Sequence, residues 1–211
     1  MSALPGSFSS RRTLSFVVGV LVVLLAGAWF YLRPHGPDPK AVAAAETRMW
    51  QAYYSADPFR LHRELTSLLE AQFALKPADA QGIAQSLAMA AFKFETSREG
   101  YEANVLPDLE RAFAELRRVT GRKFDARQVA RAELAWWVAR RTPGQDSAQQ
   151  VGQGIGTVYA MLYGREKPEF IEAGVLRAEA GRLRDQGGVN CDWRQVEALL
   201  ERSYQTLARA I

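Results

Sequence analysis

Apolar and polar positions divide this chain into two unlike parts. From Leu14 to Leu32 the sequence reads LSFVVGVLVVLLAGAWFYL, apolar but for Ser15 and free of charge. From residue 41 onward, apolar side chains recur instead at spacings of three and four, the period of an amphipathic helix. Between the two lies RPHGPDPK, residues 33–40, whose three prolines and one glycine read as a short, stiff spacer.

The periodic part predicts a succession of helices. Over Ala41–Ser55 one stripe holds Val42, Ala45, Glu46, Met49, Trp50 and Tyr53. Asp57-Pro58 offers an N-cap and a first-turn proline for a helix carrying Leu61, Leu65, Leu68, Leu69 and Phe73, and Lys76-Pro77 breaks it. Asp79 precedes a third helix, with Ile83, Leu87, Ala90, Ala91 and Phe94 inward. Pro107 opens or kinks a fourth, which carries Leu106, Leu109, Phe113 and Leu116 and ends at Gly121. Asp125–Gln128, Ser147–Gln150 and Asp192–Gln195 have the spacing of capping boxes, and Gly164 and Gly187-Gly188 are plausible stops. Alternating runs bounded by hairpin dipeptides are missing, so the expected fold is all-α, a single bundle of about eight helices with antiparallel neighbours.

The apolar run sets a topology. Nineteen residues at about 1.5 Å each span roughly 28 Å, the hydrocarbon thickness of a bilayer. Arg11 and Arg12 precede it, and Trp29, Phe30 and Tyr31 form an aromatic belt at its far end. The expected organisation is a cytoplasmic tail (1–13), a transmembrane anchor (14–32), the spacer (33–40) and an extracytoplasmic domain (41–211), with the bilayer as a partner. The inner membrane is the expected location, the domain lying in the periplasm or outside the cell. A cleaved signal peptide, cut near Ala26-Gly27-Ala28, is the rival reading; the apolar run outlasts the usual 7–15 residues of such a peptide.

Charge changes the picture less than its total implies. Of the net +4, all but +1 comes from residues 1–40, where Arg11, Arg12, Arg33 and Lys40 face Asp38 alone. The basic balance is therefore mostly topology, and no nucleic-acid partner is expected. Arg117, Arg118, Arg122, Lys123, Arg127 and Arg131 form the densest basic segment, read as a solvated face with contact to anionic lipid as the alternative. Cys191 is the only cysteine, which excludes an intramolecular disulfide.

Few residues invite chemistry. Glu46 interrupts the first apolar stripe, and Glu133 shares a face with Ala130, Trp137 and Arg140. A carboxylate so placed needs a cation or a raised pKa. Arg177, beside Leu176 and Ala180, is the nominated partner, with Arg140 and Arg184 as alternatives. These residues form either a buried ionic network or the polar part of a ligand pocket. Gly152, Gly154 and Gly156 fit no phosphate-binding loop and point to close helix packing. Adjacent Trp136 and Trp137 point about 100° apart on a helix, which nominates Asp125–Arg141 as a central, nearly surrounded helix. Glu-x-x-His is absent and His62 is the only histidine after the spacer, so no metal site and no cofactor is expected. No catalytic set for hydrolysis is visible. The leading expectation is a partner-binding or scaffolding protein, and the alternative is a ligand carrier or enzyme with a polar pocket in its core.

Overall fold

The computed structural model describes residues 36–211, and among these it contains nine α-helices and no strand. They are α1 (Pro39–Tyr54), α2 (Pro58–Phe73), α3 (Pro77–Thr96), α4 (Tyr101–Asn104), α5 (Leu106–Thr120), α6 (Ala126–Arg141), α7 (Ala148–Tyr163), α8 (Pro168–Gly187) and α9 (Trp193–Ala210). The expected anchor at 14–32 lies outside the described residues, among which no helix is long and apolar enough to cross a membrane.

Local chemistry explains where the helices start and stop. Asp57 accepts from Arg60 N at 2.9 Å, and Asp125 and Asp192 each accept two first-turn amides. These bonds satisfy amides that have no partner within the helix. Pro58, Pro77, Pro107 and Pro168 all sit in first turns, where the missing N–H costs nothing. Pro107 thus opens α5 rather than kinking it. The third helix starts at Pro77, so Asp79 is a first-turn acid rather than its cap. Gly121 and Gly164 close α5 and α7 at φ +66 and +64, a left-handed conformation that penalises any Cβ.

The eight long helices form a closed circuit. α1 packs on α2, α2 on α3, α3 on α5, α5 on α6, α6 on α7, α7 on α8 and α8 on α9, and α9 returns to α1. Three- to six-residue connections join most consecutive pairs, so neighbours run antiparallel, and an even number of helices lets the last meet the first antiparallel too. The four-residue α4 rests against α3 and α5. Two apolar clusters line the inside, one centred on α2, α3, α5 and α6, the other on α1, α7, α8 and α9. The expectation of a central helix at Asp125–Arg141 is corrected: α6 is one member of the circuit, packed on α5 and α7. Both of its tryptophans are half-buried because the circuit encloses space, as described below.

The tightest seam joins α7 to α8. A Cβ at Gly152 would lie 2.5 Å from Val175 Cα, and one at Gly156 2.8 Å from Ile171 Cα. From the other side, a Cβ at Gly174 would lie 2.2 Å from the Gly152 carbonyl oxygen. Gly154 faces away from this seam, toward Trp136 of α6, where a Cβ would come within 2.8 Å of the Trp136 Cβ. Because the obstacles are backbone, a methyl group at Gly174 must push the two helices apart. Gly174→Ala is expected to cost about 1–3 kcal/mol and lower Tm by several degrees. Gly82→Ala, on α3 with nothing within 4 Å of the added carbon, is expected to gain roughly 0.5–1 kcal/mol. Thermal unfolding of the two variants checks the pair; equal effects would contradict the seam.

Candidate functional site

Glu46 of α1 is fully buried, and it is satisfied from two other helices. Arg177 of α8 donates to its Oε1 from Nε at 2.7 Å and approaches it again with a terminal nitrogen at 2.6 Å. Tyr204 of α9 donates to Oε2 at 2.6 Å. Burial works against the Arg177 charge, but Glu46, Tyr159, Tyr204 and Glu133 together outweigh it and hold the guanidinium firmly protonated. The Tyr204 hydroxyl is raised far above its ordinary value by burial and by the adjacent carboxylate, so it stays a donor. The three groups tie α8 and α9 to α1, where the circuit closes.

Arg177 and Tyr204 also form part of the wall of a partly open cavity of about 350 Å³. Most of that wall is aliphatic and aromatic, with Leu65, Leu69, Ile83, Phe94, Phe113 and Leu162 among its members. Glu46 lies behind the wall. Glu133 of α6 is on it, and its two oxygens accept the indole N–H groups of Trp136 (3.0 Å) and Trp137 (2.9 Å). The spacing explains the arrangement, since residues three and four positions later in a helix lie over the same face. The two indoles meet edge to face at 6.1 Å, and Arg177 lies over the Trp136 ring at 5.3 Å. Burial raises the Glu133 pKa, against the opposing pull of Arg177 and the two indoles. Tyr159 also lines the cavity, with its hydroxyl fully buried and without a hydrogen-bond partner.

At another part of the cavity rim, two polar networks run from α1 to α6, which stand on opposite sides of the circuit. Arg140 reaches Asp185 of α8 at 2.8 Å and the Tyr54 hydroxyl at 2.6 Å, and Tyr54 donates to Asp185 at 2.8 Å. Arg141 pairs with Glu95 of α3 and contacts the Tyr53 hydroxyl at 3.3 Å, while Tyr53 donates to Glu95 at 2.6 Å. Four helices, α1, α3, α6 and α8, thus meet through side chains that all line the cavity.

The nominated residues therefore separate. Glu46 and Arg177 are bonded partners, Glu133 shares the cavity wall with Arg177 but has no cation bonded to it, and Arg140 belongs to the rim network. Arg184 stacks on Tyr54 at 3.5 Å instead of meeting Glu46 or Glu133. Gly152, Gly154 and Gly156 lie outside the lining, at helix seams. The basic segment does not form one uniform face: Arg118 bonds Glu115 at 2.8 Å, and Arg122 lies over Tyr163 at 4.5 Å, while Arg117, Lys123, Arg127 and Arg131 are exposed. Sequence reasoning missed Tyr159, Tyr204 and the Tyr53-Tyr54 pair. The indole donors to Glu133 were legible in their spacing. Among the described residues no group of three or more His, Cys, Asp or Glu is arranged to hold a metal ion.

Removing one member of a buried pair strands the other, whereas removing both does not. Arg177→Met is expected to lose about 3–5 kcal/mol, and Arg177→Met with Glu46→Met to recover a substantial part of it. Urea denaturation measures both, and a double variant no better than the single would argue against the pairing. For Glu133, a folded-state pKa above the ordinary 4.5 means that the native state holds the proton more tightly than the unfolded chain. Its contribution to stability is full below about 4.5 and is lost as pH rises through the raised value. With Arg177 and Glu46 as the neighbouring charges, wild type is expected to lose stability relative to Glu133→Gln over that rise, and parallel pH profiles would refute it.

Compared with protein-family models, curated proteins and solved structures, the chain matches none, and the functional reading rests on this geometry.

Proposed function

We propose that this domain is a small-molecule-binding module whose cavity holds a mostly apolar ligand with one polar end. The observation that carries the reading is the cavity itself, about 350 Å³ and lined largely by apolar side chains, with Glu133 on its wall. Packed cores rarely leave voids much larger than a water molecule. A space of this size, walled by aromatic and aliphatic side chains, is better explained by an occupant than by poor packing. Its size is in the range of ligand pockets.

The setting proposed for this activity is extracytoplasmic, with residues 14–32 anchoring the domain to the inner membrane. The uninterrupted apolar run and the arginine pair before it support that placement. Contact of the exposed Arg117, Lys123, Arg127 and Arg131 with anionic lipid belongs to the same proposal.

A second reading, protein-partner binding, draws on two exposed aromatic residues. Phe59 at the start of α2 is 88% exposed and Phe92 near the end of α3 is 60% exposed, at the same end of two antiparallel helices. Such residues are typical anchors of an interface.

The cavity reading is tested by equilibrium dialysis of the full chain against octanol, with Ala91→Trp as the control that fills the cavity. Wild type is expected to bind saturably, and Ala91→Trp to weaken binding about tenfold or more. Indistinguishable binding by the two proteins would overturn the reading.

A further inference from the structure

Resting on the cavity reading, we infer that the ligand's polar end is cationic: an aliphatic amine, protonated, whose ammonium group pairs with Glu133. A charge inventory of the cavity wall points there. Arg140 is matched by Asp185, Arg141 by Glu95 and Arg177 by Glu46. Glu133 is the carboxylate left over, with no basic nitrogen within 4.0 Å of it among the described residues. This sets it apart from Glu46, Glu64 and Asp108, the buried carboxylates, each of which has an arginine or lysine nitrogen within 3.2 Å.

The groups around Glu133 suit an ammonium in kind as well as in charge. Each carboxylate oxygen takes one indole N–H, which fixes the carboxylate's orientation and leaves a lone pair on each oxygen for a further donor. An ammonium supplies three donors and accepts nothing, so it complements this set. Trp136 already holds the Arg177 guanidinium over its ring, and Trp137 packs against Phe94 at 5.3 Å, so aromatic surface suited to a second cation borders the carboxylate. A ligand carboxylate would set a second acid against Glu133, and an alcohol would form no ion pair with it.

Three ligands of equal chain length separate these cases: octylamine, octanol and octanoate, each dialysed at neutral pH against the full chain, Glu133→Gln and Ala91→Trp. Octylamine is expected to bind wild type about tenfold more tightly than octanol, with octanoate weakest. Glu133→Gln is expected to lose most of the amine preference, amine and octanol then binding within about twofold of each other, and a far-UV circular dichroism spectrum matching wild type shows that the variant is folded. Amine binding unchanged in Glu133→Gln, or octanol or octanoate binding as tightly as the amine, overturns the inference while leaving the cavity reading in place. If none of the three binds wild type better than Ala91→Trp, the cavity reading fails and takes the inference with it.

Discussion

A closed circuit of eight helices cannot fill its own centre. Helices pack with axes 8–10 Å apart, which puts the axes of a regular ring of eight roughly 12 Å from the middle. A helix with its side chains reaches only about 5–6 Å from its axis. The remaining lumen is too wide for aliphatic side chains alone, and here Trp136, Trp137, Phe94, Phe113 and Tyr159 project into it. They narrow the space without eliminating it. The cavity, the half-buried aromatic residues and the polar wall all follow from the return of α9 to α1.

That return is also the hardest contact to specify, because it joins the two ends of the described chain. The Glu46–Arg177–Tyr204 cluster sits there, linking residues 131 and 158 positions apart. A buried ion pair is a poor source of net stability, since desolvation offsets much of the attraction. It is strict about geometry, however: any other register of α8 or α9 against α1 would strand a charge in the core. The α7–α8 seam acts by exclusion, because Gly152, Gly156 and Gly174 permit one close approach and no slippage past it.

The helices were legible because their causes are local. Three-to-four spacing, Asp-Pro starts and glycine stops act within a few residues, and they located the elements to within a turn. The unusual carboxylates were legible too, since Glu46 and Glu133 interrupt apolar stripes, and Arg177 was the nominated cation. What periodicity could not express is whether an apolar face looks at another helix or at empty space. Trp136 and Trp137 read as the mark of a surrounded helix for that reason; their surroundings include a cavity. The rim networks were illegible because the partners of Tyr53 and Tyr54 lie on helices that meet only once the circuit closes. Tyr159 gave no signal at all, being one aromatic position in an ordinary apolar stripe.

Adjacent residues on a helix leave its axis about 100° apart. Tyr53 and Tyr54 therefore diverge from α1, Arg140 and Arg141 diverge from α6, and the bonds between them run in two directions. A single bond would leave each helix free to roll about its axis; two divergent ones do not. Arg140 stands seven residues after Glu133, almost two full turns, and so projects from nearly the same side of α6. Holding Arg140 at the rim thus fixes the azimuth of Glu133 inside, and the direction in which the cavity carboxylate faces is set about 10 Å away from it.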